Sequence, residues 1–301
     1  MIKGVIPAMV TPFDEKENLD EARLRKVVRF LVDEGVNGLY LTGSTGEAFT
    51  MTPDERKQVV EITLDEVGGK IPVIVHVGAI GTKISIDLAQ HAEKAGAAAI
   101  SSVPPFYWKF SENQVYEYYR DISAETNLPM IVYNIPLAGA VGYSLIKRLA
   151  QIPGVEGIKY TLSTHYDIMR MRDEIGPDFA IYSGSDEMAM SGLAFGADGV
   201  IGSTYNAISD LYLDIFKAAE EKNLAVLQEK QRIANTIIMK GLEYDLMPLL
   251  KRMMAWMGVD AGYSRRPFTR YTEAQEAAIR EEFRKFKNMP GAENVRFLRE
   301  V

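Results

Sequence analysis

A chain of 301 residues, 47% hydrophobic and 25% charged, has the composition of a folded protein and the length of two average domains or one large α/β barrel. It has no cysteine, which removes disulfide frameworks, thiolate metal sites and cysteine nucleophiles together. A net charge of −7 with no basic stripe argues against nucleic acid as a partner, and the lack of a long apolar run or leader-like N-terminus sets the expected location as cytoplasmic, with no membrane partner.

The chain opens on a strand-like run at 4–11, interrupted by Pro7 and closed by Pro12. Leu24, Val27, Val28 and Leu31 fall at helical spacing before Gly35, and 36–41 reads as a second strand leading into the small polar loop Gly43-Ser44-Thr45-Gly46-Glu47. Thr52-Pro53-Asp54-Glu55 is a strong helix start, ended by Gly68 and Gly69. Further strands are predicted at 71–77, 98–103, 129–133, 155–159, 179–182 and 199–202. Helices separate several of them, one marked by Leu88, Ala92 and Ala95, one opened by the capping box of Ser111 and Gln114, and one carrying Ile168, Met171 and Ile175. At Gly35, Gly96 and Gly196 a helix-ending glycine precedes a small residue and then an aliphatic, the pattern of a helix C-cap feeding a packed strand.

Eight strands alternating with helices predict a (β/α)8 TIM barrel over 1–206, with a doubly wound open sheet as the alternative. The remainder, 207–301, reads as a C-terminal helical region that includes the barrel-closing helix, with helices near 209–222, 225–240, 246–257 and 273–286 and a polar, poorly ordered tail from Asn288.

In a barrel, chemistry sits where strands end. The segment 155–161 carries Lys159 near the end of an apolar strand, and a buried lysine needs a reason. One reason is a neutral amine that attacks a carbonyl to form a Schiff base; the other is a lysine that snorkels to solvent. Ser44 and Thr45 in a glycine-flanked loop suit a carboxylate, Tyr133 can relay a proton, and Asp186 and Glu187 follow the seventh strand. Together these describe aldol cleavage or condensation of a 2-oxo acid. Each has a plainer reading: a simple turn for the loop, a strand-end anchor for Tyr133, and the acidic first turn of a helix for Asp186 and Glu187. His76, His91 and His165 lack paired metal-ligand spacing and read as structural, so neither a metal nor a cofactor is expected.

Four motifs occur jointly: Gly43-Ser44-Thr45-Gly46-Glu47, Tyr133-Asn134-Ile135-Pro136, Gly157-Ile158-Lys159-Tyr160-Thr161 and Gly202-Ser203-Thr204-Tyr205-Asn206. With them the chain resembles, to about residue 285, the pyruvate-dependent class I aldolase family that contains N-acetylneuraminate lyase and dihydrodipicolinate synthase. The resemblance implies that Lys159 forms the Schiff base, Tyr133 relays protons, and Ser44 and Thr45 hold the pyruvyl carboxylate. It also implies that Tyr107 is donated across a subunit contact, in a homotetramer built as a dimer of dimers. Leu137, Ala138 and Gly139 stand where the synthase branch carries an arginine for a second carboxylate, while Thr161, Gly184, Asp186, Glu187 and Ser203 match the sugar-tail contacts of the sialic acid lyase branch. Ser185 and Ala138 are smaller than that branch usually has, which keeps another sugar-derived 2-oxo acid open as substrate. Other synthases of the family and a noncatalytic sugar-acid-binding relative are the remaining alternatives.

Overall fold

The computed structural model describes residues 2–301. Its strands are β1 (Gly4–Pro7), β2 (Leu39–Leu41), β3 (Val73–His76), β4 (Ala99–Ser102), β5 (Met130–Asn134), β6 (Val155–Tyr160), β7 (Ala180–Ser183) and β8 (Gly199–Gly202). Between them lie α1 (Glu21–Asp33), α2 (Pro53–Val67), α3 (Thr82–Ala95), α4 (Glu112–Ala124), α5 (Tyr143–Leu149), α6 (Tyr166–Glu174) and α7 (Ala189–Ala194). After β8 come α8 (Tyr205–Glu220), α9 (Leu224–Gly241), α10 (Leu246–Trp256), α11 (Glu273–Arg284) and α12 (Arg296–Glu300).

All neighbouring strand pairs are parallel, in the order β1-β8-β7-β6-β5-β4-β3-β2. Closure comes from the chain just after β1: Ala8 N–H donates to Gly202 O and Met9 N–H to Tyr40 O, each at 2.9 Å, and Ala8 bridges Tyr40. The sheet is therefore a (β/α)8 barrel with a helical extension, and the open-sheet alternative falls. That closure also explains why the first strand is shorter than 4–11. Beyond Pro7 the backbone divides its hydrogen bonds between β8 and β2 instead of continuing one ladder.

Local chemistry sets the helix boundaries. Thr52 and Glu55 form a capping box with Pro53 in the first turn of α2, and Ser111 and Gln114 form another at α4. Gly35, Gly96 and Gly196 hold φ of 83°, 93° and 100°, the left-handed geometry that glycine reaches without strain. Helices α5 and α7, of 7 and 6 residues, are too short to show a clear period in the sequence. The barrel-closing helix starts at Tyr205, earlier than predicted, because non-helical backbone at Ile208 (φ −133°) interrupts the periodicity there.

The tail from Asn288 is ordered, contrary to its polar composition. Val295, Phe297, Leu298 and Val301 are buried, and the Phe297 ring lies 5.3 Å from that of Phe283 and 6.3 Å from that of Trp256. Four apolar side chains fix the segment although their neighbours are charged.

The apolar side chains divide into two layers. Ile6, Tyr40, Ile74, Ile131, Tyr133, Tyr182 and Ile201 fill the barrel, whereas Ile158, Tyr160 and most helix residues form the layer outside it. No helix among the described residues is long and apolar enough to cross a membrane.

Candidate active site

Strand alternation decides which way Lys159 faces. Its neighbours Ile158 and Tyr160 belong to the outer layer, and its register partners Tyr133 on β5 and Tyr182 on β7 belong to the inner one. Lys159 therefore enters the barrel at its C-terminal end. It is 4% exposed, with Nζ 4.1 Å from the centre of the Tyr133 ring and 4.8 Å from that of Tyr40. Among the described residues no carboxylate lies within 4.0 Å of that nitrogen. The other buried lysine, Lys251, is paired at 2.6 Å with Glu47. Aromatic faces support the Lys159 amine without neutralising it or occupying its hydrogen-bonding positions.

The rings around Tyr133 form a neutral wall. Tyr40 lies edge-on to Tyr133 at 6.0 Å and donates to Ser101 Oγ at 3.1 Å; burial pushes its phenol well above the usual 10. His76 lies edge-on to Tyr133 at 6.1 Å. Its Nδ1–H donates to Thr42 O at 2.9 Å, an oxygen that can only accept, and its Nε2 accepts from Val103 N–H at 3.3 Å. Burial, then the positive charges of Arg56 and Lys159, hold its pKa well below 6.5. This agrees with a structural histidine, and it adds that the ring ties the ends of β2, β3 and β4 behind the tyrosine.

A pH dependence follows from His76. Below about pH 6.5 the unfolded chain takes up a proton at this histidine that the folded chain refuses, so stability falls as pH drops, by at most about 1.4 kcal/mol per pH unit. His165, also lowered by burial, acts in the same direction. Urea unfolding free energies of His76→Gln should show a shallower slope than wild type below about pH 6.5. Equal slopes would assign the effect elsewhere.

The loop after β2 turns sharply. Glu47 N–H donates to Ser44 O at 3.0 Å and Ala48 N–H to Gly43 O at 3.2 Å, which closes the turn. Among the described residues the N–H groups of Ser44 and Thr45 have no protein acceptor, so they remain as donors for a bound anion. Thr45 Oγ and Ser203 Oγ lie 2.6 Å apart, bringing the loops after β2 and β8 together although 158 residues separate them in sequence.

In the loop after β7, next to the loop after β8, Asp186 is 8% exposed. Its Oδ2 accepts from Thr204 N–H at 2.8 Å and Thr204 Oγ at 2.7 Å, and burial raises its pKa above the usual 3.8. Its carbonyl accepts from Tyr212 Oη and Gln231 Nε2, so α8 and α9 hold this loop in place. Neighbouring Glu187 is exposed and Thr161 half-buried, with an Oγ that has no partner.

Two glycines make the approach possible. A Cβ on Gly184 would lie 2.0 Å from Thr161 Oγ and 3.1 Å from Lys159 Cε, and one on Gly202 would lie 2.0 Å from Asp186 Oδ1. Gly202, Tyr40 and His76 are additions to the predicted set. The motif containing Gly202 and the strand carrying Tyr40 are visible in sequence, but the inward position of Tyr40 and the contacts of both are not. Tyr107 is not brought to Lys159 within one chain: it is 84% exposed at a φ of 80°, and its ring packs edge-on against Trp108.

A buried, unpaired lysine inside a (β/α)8 barrel, with a tyrosine beside it and free N–H donors across from it, defines a lyase of the class I aldolase kind. Residues 1–285 match the Dihydrodipicolinate synthetase family, and the chain belongs to that family. The N-acetylneuraminate lyase of Rhizobium meliloti is 38% identical over 282 residues, covering 93% of this chain and 94% of that protein. A Clostridium difficile structure, CdNal in complex with mannosamine, superposes with a TM-score of 0.92 at 34% identity over 95% of this chain and 99% of that one. The catalytic lysine mutant of Ruminococcus gnavus sialic acid aldolase superposes at 0.90 with 31% identity, covering 93% and 94% of the two chains.

Proposed function

We propose that this protein cleaves N-acetylneuraminate to pyruvate and N-acetylmannosamine through a Schiff base on Lys159. The observation that carries the mechanism is the isolated Lys159 amine, held between two phenol rings with no carboxylate to pair it. Lys159 attacks C2 of the open-chain ketone, the Tyr133 hydroxyl gives its proton to the departing C2 oxygen, and water leaves, giving an iminium beside a Tyr133 phenolate. Tyr133 takes the proton of the C4 hydroxyl, assisted by the substrate carboxylate. The C3–C4 bond breaks, its electron pair moves toward C2 as the iminium becomes an enamine, and C4 leaves as the aldehyde of N-acetylmannosamine. Tyr133 returns a proton to C3, and water releases pyruvate from the lysine.

In this reading the N–H groups of Ser44 and Thr45, with the Ser44 hydroxyl, hold the carboxylate. Thr161, Gly184, Asp186, Glu187 and Ser203 form the sugar end. The free Oδ1 of Asp186 and the partnerless Thr161 Oγ suit a polyhydroxylated chain. The protein is read as a cytoplasmic homotetramer, with Tyr107 completing the proton relay of a neighbouring subunit. Its 84% exposure on a left-handed backbone supports a side chain presented outward.

The test is pyruvate release from N-acetylneuraminate, set beside consumption of aspartate semialdehyde with pyruvate. Release from the first and no reaction with the second is expected, because Leu137, Ala138 and Gly139 offer no guanidinium for a second carboxylate. The reverse result would place the chain in the synthase branch. Failure with both, while pyruvate still forms an adduct, would favour another sugar acid, and the small Ser185 and Ala138 mark where its extra volume would fit.

A further inference from the structure

Lys251 on α10 is 1% exposed, and its Nζ donates to Thr11 O, Tyr263 O and Glu47 Oε1, each at 2.6 Å. Glu47 is itself buried, on left-handed backbone with φ 57°, and its Oε2 accepts from Arg265 N–H at 2.9 Å. Burial of an ion pair at this depth is a weak source of stability compared with apolar packing, so its placement calls for another explanation.

The loop it grips supplies one. Glu47 ends the turn that carries Ser44 and Thr45, and its own N–H closes that turn on Ser44 O at 3.0 Å. Thr11, whose carbonyl Lys251 also takes, fastens the same loop through a 2.8 Å hydrogen bond from its Oγ to Gly46 O. One ammonium thus holds the loop through the side chain of Glu47 and through the backbone of Thr11. It does so from a helix 204 residues further along the chain. The N–H groups of Ser44 and Thr45, without acceptors among the described residues, are the part of the loop left free.

We propose that Lys251 is a positioning residue that presets the turn of Ser44 and Thr45 for the carboxylate of the 2-oxo acid, so that the C-terminal helical region sets the affinity of the site for pyruvate. Lys251 touches no substrate. It acts by keeping the two N–H donors oriented before the carboxylate arrives, so that binding does not have to order them. This inference rests on the reading that pyruvate forms an imine with Lys159.

The experiment is borohydride trapping on Lys159 across a range of pyruvate concentrations, for wild type, Lys251→Met and the isosteric Glu47→Gln. Acetone, a ketone without a carboxylate, is trapped in parallel. Both variants should need about tenfold more pyruvate, or beyond, for half-saturation, the effect of weakening hydrogen bonds to a charged group. Acetone trapping should not change. A purely structural role would lower the amount of active protein, which reduces amplitude and leaves half-saturation unmoved. Unchanged half-saturation in Glu47→Gln, or equal weakening toward pyruvate and acetone, overturns the inference. Failure of both variants to fold also overturns it, since the pair would then serve the fold as a whole. Absence of trapping in wild type is a separate result: it refutes the imine itself, and the inference with it.

Discussion

Lys159→Ala loses turnover by about 10⁴-fold or more, the scale on which removal of a covalent nucleophile acts. No other lysine can replace it. Lys251, the other buried lysine among the described residues, is spent on Glu47 and two carbonyls. Stability should move the other way from activity. The Lys159 amine has no ion-pair partner, so Lys159→Met, which keeps the chain length and removes the charge, should unfold at or above the wild-type midpoint. Thermal unfolding and steady-state turnover on the same preparations separate the two effects. An inactive variant that is also unfolded would make Lys159 a structural residue, and retained activity would remove it from the mechanism.

Gly184→Ala lowers kcat by about 100-fold, the cost of displacing a reacting group by roughly an ångström. Gly184 is not in the left-handed region, so alanine is compatible with its backbone, and the effect is steric. The added methyl would lie 2.0 Å from Thr161 Oγ and 3.1 Å from Lys159 Cε, so both side chains must shift. The two contacts can be told apart. Adding Thr161→Ala removes the closer atom, and the double variant should recover kcat relative to Gly184→Ala alone if the clash passes through Thr161. Strict additivity would mean that Lys159 takes the displacement directly. Unchanged kcat in Gly184→Ala would show that the loop after β7 has room the structure denies it.

The parts of the molecule that depend on neighbours in sequence were legible there. Capping boxes at Thr52 and Ser111, glycine caps at Gly35, Gly96 and Gly196, and short apolar runs placed the strands and most helices, because each is set by a few adjacent residues. The short apolar run of β6 was enough to mark Lys159 as a strand-end residue. What sequence could not supply is whatever joins distant segments. The link of Thr45 to Ser203 spans 158 residues and that of Glu47 to Lys251 spans 204, and neither pair carries a local pattern. Nor could it show that Gly184 and Gly202 serve close approach, since the atoms they make room for come from other loops or strands. The tail failed for a different reason. Its mean polarity hid Val295, Phe297, Leu298 and Val301, whose burial depends on a surface formed by α10 and α11.

The most direct test of the central claim is the mass of the Lys159 peptide after incubation with pyruvate and borohydride. Schiff-base chemistry at this position predicts one N-carboxyethyl group on Lys159, with loss of activity in proportion to its formation. Modification of a different lysine with activity lost in step, or turnover that persists while Lys159 is fully modified, would contradict it.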